Sequence, residues 1–307
     1  MKMTERKAEF LMATVTLAWG SSYLMMKVGL GGMGPFNLIA LRFGIAFICM
    51  VALFHNRLRG LAKKTLAKGV LMGVILFLLF TGMVGGVNFT TASTAGFLTS
   101  TAVVMVPIME CFLKRSLPEK SIVVSILIAL GGLFLLTAGE DGVSIDIGAA
   151  LCLMGAFFYA LYIVVFGEIA KTEDPLPISI IQLGVASAIG ALCMCLFETP
   201  SLPANNLQWG AIIGLGLFCS AYGFVVQPFA QKYASPERIG LIFSLEPVFS
   251  ALLSFIFLHE ILAVRGYVGA AMIFSAVVLS ELIKGKKTSE PKPQLSASEV
   301  TVCAETE

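Results

Sequence analysis

Apolar runs of close to 20 residues, separated by short charged or Gly/Pro/Asn-rich breaks, fill this chain from Phe10 to Ile283. A helix of about 20 mostly apolar residues crosses the hydrocarbon core of a bilayer. The pattern predicts ten such helices, at Phe10–Val28, Phe36–Phe54, Ala67–Gly86, Ala92–Leu113, Ser121–Ala138, Ile147–Ala170, Pro177–Phe197, Leu207–Ala230, Glu237–Leu258 and Val264–Ile283. None of the runs alternates apolar and polar residues as the strand of a membrane barrel does. The expected fold class is therefore all-α integral membrane, with ten transmembrane helices.

The two halves of the pattern repeat each other. Trp19 and Tyr159, Arg42 and Gln182, and Pro107 and Pro247 all stand 140 residues apart, in three different pairs of spans. Five spans per half is an odd number, so the second half is inserted upside down relative to the first. Inverted repeats of this kind place a binding site near the bilayer midplane, where the halves meet. The expected organisation is a short N-terminus (1–9), a first half (10–139), a second half (147–283) and a polar Pro/Ser/Glu-containing tail (284–307), whose composition is that of a disordered segment.

Charge fixes an orientation. With the N-terminus in the cytoplasm, 18 of the 21 Lys and Arg residues fall on cytoplasmic segments, Lys27 and Arg265 fall outside, and Arg42 lies within the second span. That asymmetry is the positive-inside pattern for ten spans with both termini cytoplasmic. The remaining composition fits a membrane protein: 57% hydrophobic and 13% charged residues, mean hydropathy +0.90, against about 25% charged in globular domains. A net charge of +2, scattered over loops, offers no face for nucleic acid. Six of the seven Cys lie in spans without metal-site spacing, and His259-Glu260 has no further ligands beside it, so no metal or other cofactor is expected. No GxxxxGK[ST] loop occurs, which excludes ATP bound by such a loop as the energy source.

The order Leu17-Ala18-Trp19-Gly20-Ser21-Ser22-Tyr23, Leu41-Arg42-Phe43, Ala95-Gly96-Phe97-Leu98 leading to Val106-Pro107, and Leu245-Glu246-Pro247-Val248-Phe249 followed by His259-Glu260 resembles the EamA branch of the drug/metabolite transporter superfamily. The resemblance runs from about Phe10 to Ile283. It implies two inverted five-helix EamA repeats in a bacterial inner membrane, moving small metabolites, commonly outward. One departure is that the fourth span has two extra residues before Pro107 relative to the matching stretch before Pro247. The two halves therefore need not gate alike.

Intramembrane polar residues are the candidates for function, because a central charge costs about 2.5–3.5 kcal/mol on insertion scales. Glu246 lies nine residues into its span, about 13 Å deep at 1.5 Å per residue. Pro247 removes a backbone donor and frees a carbonyl one turn earlier, a break tolerated where it lines a cavity. Pro107 is its repeat counterpart. Arg42 cannot be neutralised. It is expected chiefly as an anchor snorkelling towards the outer surface, and an ion pair with Glu246 is within reach of its long side chain. Trp19, Tyr159, Tyr162 and Tyr222, with hydroxyls such as Ser244, can enclose a small organic substrate, although each also serves ordinary packing. Glu110, four residues before Lys114, reads as an interfacial pair.

Together these features point to a secondary transporter, an exporter or exchanger of small metabolites such as amino acids, working by alternating access with protons as candidate coupling ions. A membrane-embedded enzyme would need a catalytic constellation that no motif supplies. A non-transporting sensor or assembly factor remains the other alternative.

Overall fold

The computed structural model describes residues 4–89, 98–115, 120–137, 147–234, 236–246 and 264–289, with 248, 249, 252, 253 and 256. Among the described residues the regular structure is helical throughout. Helix α1 is Glu5–Leu30, α2 Pro35–Phe54 with a 3-10 turn at His55–Leu58, α3 Lys63–Phe89, α4 Ala102–Lys114 and α5 Lys120–Thr137. The second half has α6 Ile147–Thr172, α7 Pro175–Phe197, α8 Asn206–Gln231 in three segments, α9 Pro236–Phe243 and α10 Val264–Ser289.

Five of these, Pro35–Leu58, Lys63–Phe89, Ile147–Thr172, Pro175–Phe197 and Asn206–Gln231, are long and apolar enough to cross a membrane. Three shorter apolar helices cover Leu98–Leu113, Ile122–Leu135 and Val264–Ala276. Helix α1 has 26 residues, about 39 Å at 1.5 Å each, but Trp19-Gly20-Ser21-Ser22-Tyr23 breaks its apolar run. Expected and observed boundaries agree closely for α2, α5, α6, α7 and α8. Helix α10 differs: it runs on to Ser289, into the segment whose composition predicts a disordered tail.

The helix pairing reflects the repeat. Helix α3 packs on α6 and α7, as α8 packs on α1 and α2; α4 packs on α6, as α9 packs on α1; α2 packs on α7, and α5 on α10. Exchanging the first five helices for the last five returns the same principal contacts. Lipid is as apolar as Leu, so such contacts depend on close van der Waals fit rather than on a hydrophobic drive. Where α3 crosses α6, a Cβ on Gly82 would stand 2.6 Å from the Gly155 nitrogen, so the two backbones touch. Where α5 crosses α10, a Cβ on Gly132 would stand 2.6 Å from the Gly269 carbonyl oxygen.

Polar ties close both ends of the central bundle. On the face carrying the α2–α3 and α6–α7 connections, Lys68 Nζ lies 2.7 Å from Glu173 and Arg57 3.6 Å from Asp174. The hydrogen bond from Lys68 holds the Glu173 carboxyl below the usual carboxylate range. Arg238 at the start of α9 reaches Glu9 of α1 at 3.5 Å. On the opposite face, the Glu198 carboxylate accepts from the Phe36 and Asn37 amides at 2.8 and 2.9 Å. It thereby caps the α2 N-terminus and meets the positive end of that helix dipole.

Candidate functional site

A small cavity lies where the two halves meet. From α1 come Trp19 and Ser22, and from α2, α3, α6 and α8 come Arg42, Phe80, Tyr159 and Phe224; Glu246, just past α9, closes it. Its volume is about 20 Å³. That holds roughly one water molecule, since a water needs on the order of 10–15 Å³. A second space of about 10 Å³, lined by Thr99, Phe243 and Ser244, shares Tyr159 and Glu246 with the first. Neither space is large enough for more than about one water molecule.

The rings are held by an irregular stretch of α8. Leu215–Tyr222 forms a π-helix between two α-helical segments, a rare winding that often marks functional sites. The Trp19 indole Nε1 donates to the Cys219 carbonyl at 2.7 Å, and the absence of a side chain at Gly223 makes room for it. A Cβ at Gly223 would stand 2.3 Å from that nitrogen. Phe224 and Phe243 flank the indole at centroid distances of 4.9 and 5.0 Å. Tyr159, the repeat counterpart of Trp19, meets it edge-on at 6.1 Å. The two equivalent rings therefore touch across the junction of the halves.

Arg42 is 1% exposed. Its Nε donates to Ser220 Oγ at 2.6 Å, its Nη1 approaches Met26 Sδ at 3.7 Å, and its guanidinium carbon lies 4.4 Å over the Phe80 ring. A desolvated cation over an aromatic face gains about 2 kcal/mol, which offsets part of the cost of burying the charge. Glu246 shares the cavity with Arg42, while the Tyr23 hydroxyl approaches Met83 Sδ at 3.9 Å. One cation, one carboxyl and several ring faces thus line a single small space.

Trp19, Arg42, Tyr159 and Glu246 are thus brought together. Arg42 does not snorkel: its hydrogen bonds hold it inside, where α8 and α3 supply partners that the sequence of α2 alone does not reveal. Tyr162 is fully buried behind Phe224, 5.7 Å away ring to ring, with its hydroxyl accepting from Gln182. Tyr222 stands apart, 38% exposed and sharing a hydrogen bond with Thr14. Ser244 lines the second space and donates to the Leu241 carbonyl at 2.6 Å. The α-helical part of α9 ends at Phe243, and tighter i,i+3 bonds through Ser244 and Leu245 lead to Glu246. Pro247 itself lies outside the described residues, while Pro107 is buried within α4. Glu110 is 3% exposed, and the side chain of its expected partner Lys114 lies outside the described residues.

Sequence reasoning did not single out Tyr23, Phe80, Ser220, Phe224 or Phe243 as site residues. Two of them had a signal. Tyr23 follows Trp19 by four residues, hence on the same face of a helix, and Phe80 precedes Ser220 by the same 140 residues that relate the halves. Phe224 and Phe243 are two among 23 Phe, and nothing in their spacing sets them apart.

Comparison with known proteins agrees with this architecture. The model of the EamA-like transporter family matches residues 6–138 and again 146–282. An uncharacterized transporter of Archaeoglobus fulgidus is 31% identical over 90% of this chain and 86% of its own length. The uncharacterized transporter YyaM of Bacillus subtilis is 23% identical over 77% of this chain and 81% of its own. A crystal structure described only as that of a protein has the same fold, with a TM-score of 0.79 and 21% identity over 92% of this chain and 99% of that one. Two matches of the family model, one on each half, account for nearly the whole chain, which therefore belongs to the EamA-like transporter family.

Proposed function

We propose that this transporter is a secondary carrier of ten spans, two inverted halves at 10–139 and 147–283, whose substrate site is the cavity between Trp19, Arg42, Tyr159 and Glu246. The observation that carries this reading is the juxtaposition of one buried cation and one buried carboxyl inside a ring-walled space. A midplane ionisable group is costly, and the protein holds a guanidinium and a carboxyl in one cavity. A zwitterion with an apolar body, such as an amino acid or a related compound, satisfies both and fills the space between the rings. Movement follows from alternating access: the cavity opens to one face, then to the other, as the halves exchange shapes. Export or exchange across a bacterial inner membrane, with both termini in the cytoplasm, fits the distribution of Lys and Arg.

Glu246 is the titratable group through which protons would couple, because it lines the proposed substrate space. The test is counterflow of a labelled amino-acid and metabolite panel in proteoliposomes, with and without a pH gradient. Saturable movement of intact compound by the wild type, lost in Glu246→Gln, is the expected result. Wild-type flux with an unchanged pH profile in that variant would remove Glu246 from the mechanism. Movement of intact compound also separates a carrier from an enzyme, which alters its compound, and from a sensor, which moves none.

A further inference from the structure

Beside the cavity lies a second set of buried polar side chains that the proposed site does not use. Gln227 on α8 has no exposed surface, and neither its amide nitrogen nor its oxygen has a hydrogen-bond partner. Gln231, the last residue of α8, donates to the Ile163 carbonyl at 3.0 Å, while its own oxygen has no partner. Gln182 on α7 donates to the Tyr162 hydroxyl at 2.9 Å and towards the Phe224 carbonyl at 3.4 Å, and its oxygen too is left over. The buried Ser179 hydroxyl, one turn before Gln182, also has no partner. The Gln182–Phe224 contact sets the register of α7 against α8. These consecutive helices run in opposite directions, so three residues from each contact partner bring Ser179 and Gln227 to one level. Gln231 follows one turn later, at the end of the bundle that carries Lys68 and Glu173. The side chains form a row from the ring-walled cavity towards that face.

Buried amides without partners cost free energy wherever water is absent, so their retention calls for an explanation. The fold does not require them. The positions 140 residues earlier, which occupy the same places in the first half, hold Val87 for Gln227 and Ile39 for Ser179, and Ile39 is fully buried. The repeat tolerates apolar side chains at both places, and the polar ones occur in one half only.

We infer that Gln182, Gln227, Gln231 and Ser179 line the route between the cavity and the face carrying the Lys68–Glu173 pair. There they supply amide and hydroxyl partners to the hydrated polar groups of the passing substrate when the α6–α7–α8 junction opens. In the structure the three glutamine oxygens, the Gln227 nitrogen and the Ser179 hydroxyl have no hydrogen-bond partner, and the passing substrate would supply one. The corresponding path to the opposite face is walled by Ile39 and Val87, so the two access routes differ chemically. This inference rests on the carrier reading above, and its test can fail separately.

In a background with the native cysteines replaced, Gln227→Cys and Val87→Cys are exposed in sealed vesicles, from each face in turn, to a membrane-impermeant methanethiosulfonate. Gln227→Cys is expected to react from the face carrying Lys68 and Glu173 at least tenfold faster than Val87→Cys from either face. Equal rates, or reaction of Gln227→Cys from the opposite face only, overturn the route. Should the cysteine variant fold poorly, Gln227→Leu serves. A route residue predicts a raised melting temperature together with at least tenfold lower counterflow, whereas a packing residue predicts a lowered melting temperature and unchanged flux per folded molecule. Normal flux in Gln227→Leu beside lost flux in Glu246→Gln removes the route and leaves the cavity standing. Absence of flux in the wild type removes the carrier reading, and the labelling pattern then decides alone.

Discussion

Replacing Gly223 by Ala tests whether the π-helical stretch and the Trp19 ring fit as described. The new Cβ would lie 2.3 Å from Trp19 Nε1 and 2.9 Å from Cε2, closer than atoms approach, so the indole or α8 must move. The indole is 5% exposed and hemmed in by Phe224, Phe243 and Tyr159. The adjoining cavity, about 20 Å³, is too small to take the ring. Overpacking of this kind costs about 1–3 kcal/mol. Loss of the 2.7 Å bond to the Cys219 carbonyl adds about 1 kcal/mol, more where the freed carbonyl stays buried. Helix propensity returns about 1 kcal/mol for Gly to Ala, leaving a net destabilisation of about 1–3 kcal/mol. Gly210, on the same helix, is the internal control, because a Cβ there meets nothing within 4 Å. Only the propensity gain applies to it, so Gly210→Ala should be neutral to slightly stabilising. The assay is thermal unfolding in detergent, with Trp19 as sole fluorophore after Trp209→Phe, since the chain has two Trp. Gly223→Ala is expected to melt below Gly210→Ala and to shift Trp19 emission. Equal melting with unchanged emission would refute the packing argument.

Arg42→Lys keeps the charge but loses the planar stack on Phe80 and the geometry of the Ser220 bond. Substrate affinity should fall about tenfold, equivalent to about 1.4 kcal/mol, read as the half-saturation of counterflow. Glu173→Gln should remove an acid-sensitive tie between the α2–α3 and α6–α7 connections. Because Lys68 holds the Glu173 carboxyl below its ordinary value, the tie is fully present above the unfolded carboxylate value of about 4.3 and is lost as pH falls through the folded one. The melting temperature of the wild type should therefore decline in that acid window more steeply than that of the variant. Gly82→Val should prevent α3 from seating on the Gly155 backbone, costing more than about 3 kcal/mol if the helices cannot separate. Loss of the monodisperse peak in size-exclusion chromatography is the measurement, and a normal peak would contradict the contact.

The repeat was legible because it rests on period and offset, which survive divergence. Trp19 and Tyr159 could be paired by subtraction alone, and the structure brings them into contact. The spans of α2, α6 and α7 were legible for the same kind of reason, since long apolar runs between charged breaks leave few alternatives in lipid. Arg42 was misjudged because its environment comes from other helices. Phe80 lies on α3 and Ser220 on a stretch of α8 whose π winding carries no sequence signature among Leu215–Tyr222. The sequence marks Tyr222 only as a ring within its span, and the structure places it at the edge of the bundle, 38% exposed and hydrogen-bonded with Thr14.

A symmetric fold with an asymmetric centre follows from comparing the halves position by position. The counterpart of Arg42 is Gln182, that of Glu246 is Val106, and that of Phe80 is Ser220. The first half thus supplies the cation and the face it lies on, and the second supplies the carboxyl and the hydroxyl that orients the cation. Only the ring pair Trp19 and Tyr159 is shared by both. Had the halves stayed identical, two cations or two carboxyls would have met in one cavity, where like charges repel strongly in a low dielectric. Divergence at three positions puts one cation and one carboxyl at the junction in place of a like-charged pair, without changing which helices touch. The Gln227 and Val87 difference extends the same logic away from the centre: on the proposed route, the repeat would set where a path opens, and a few unmatched side chains what each path admits.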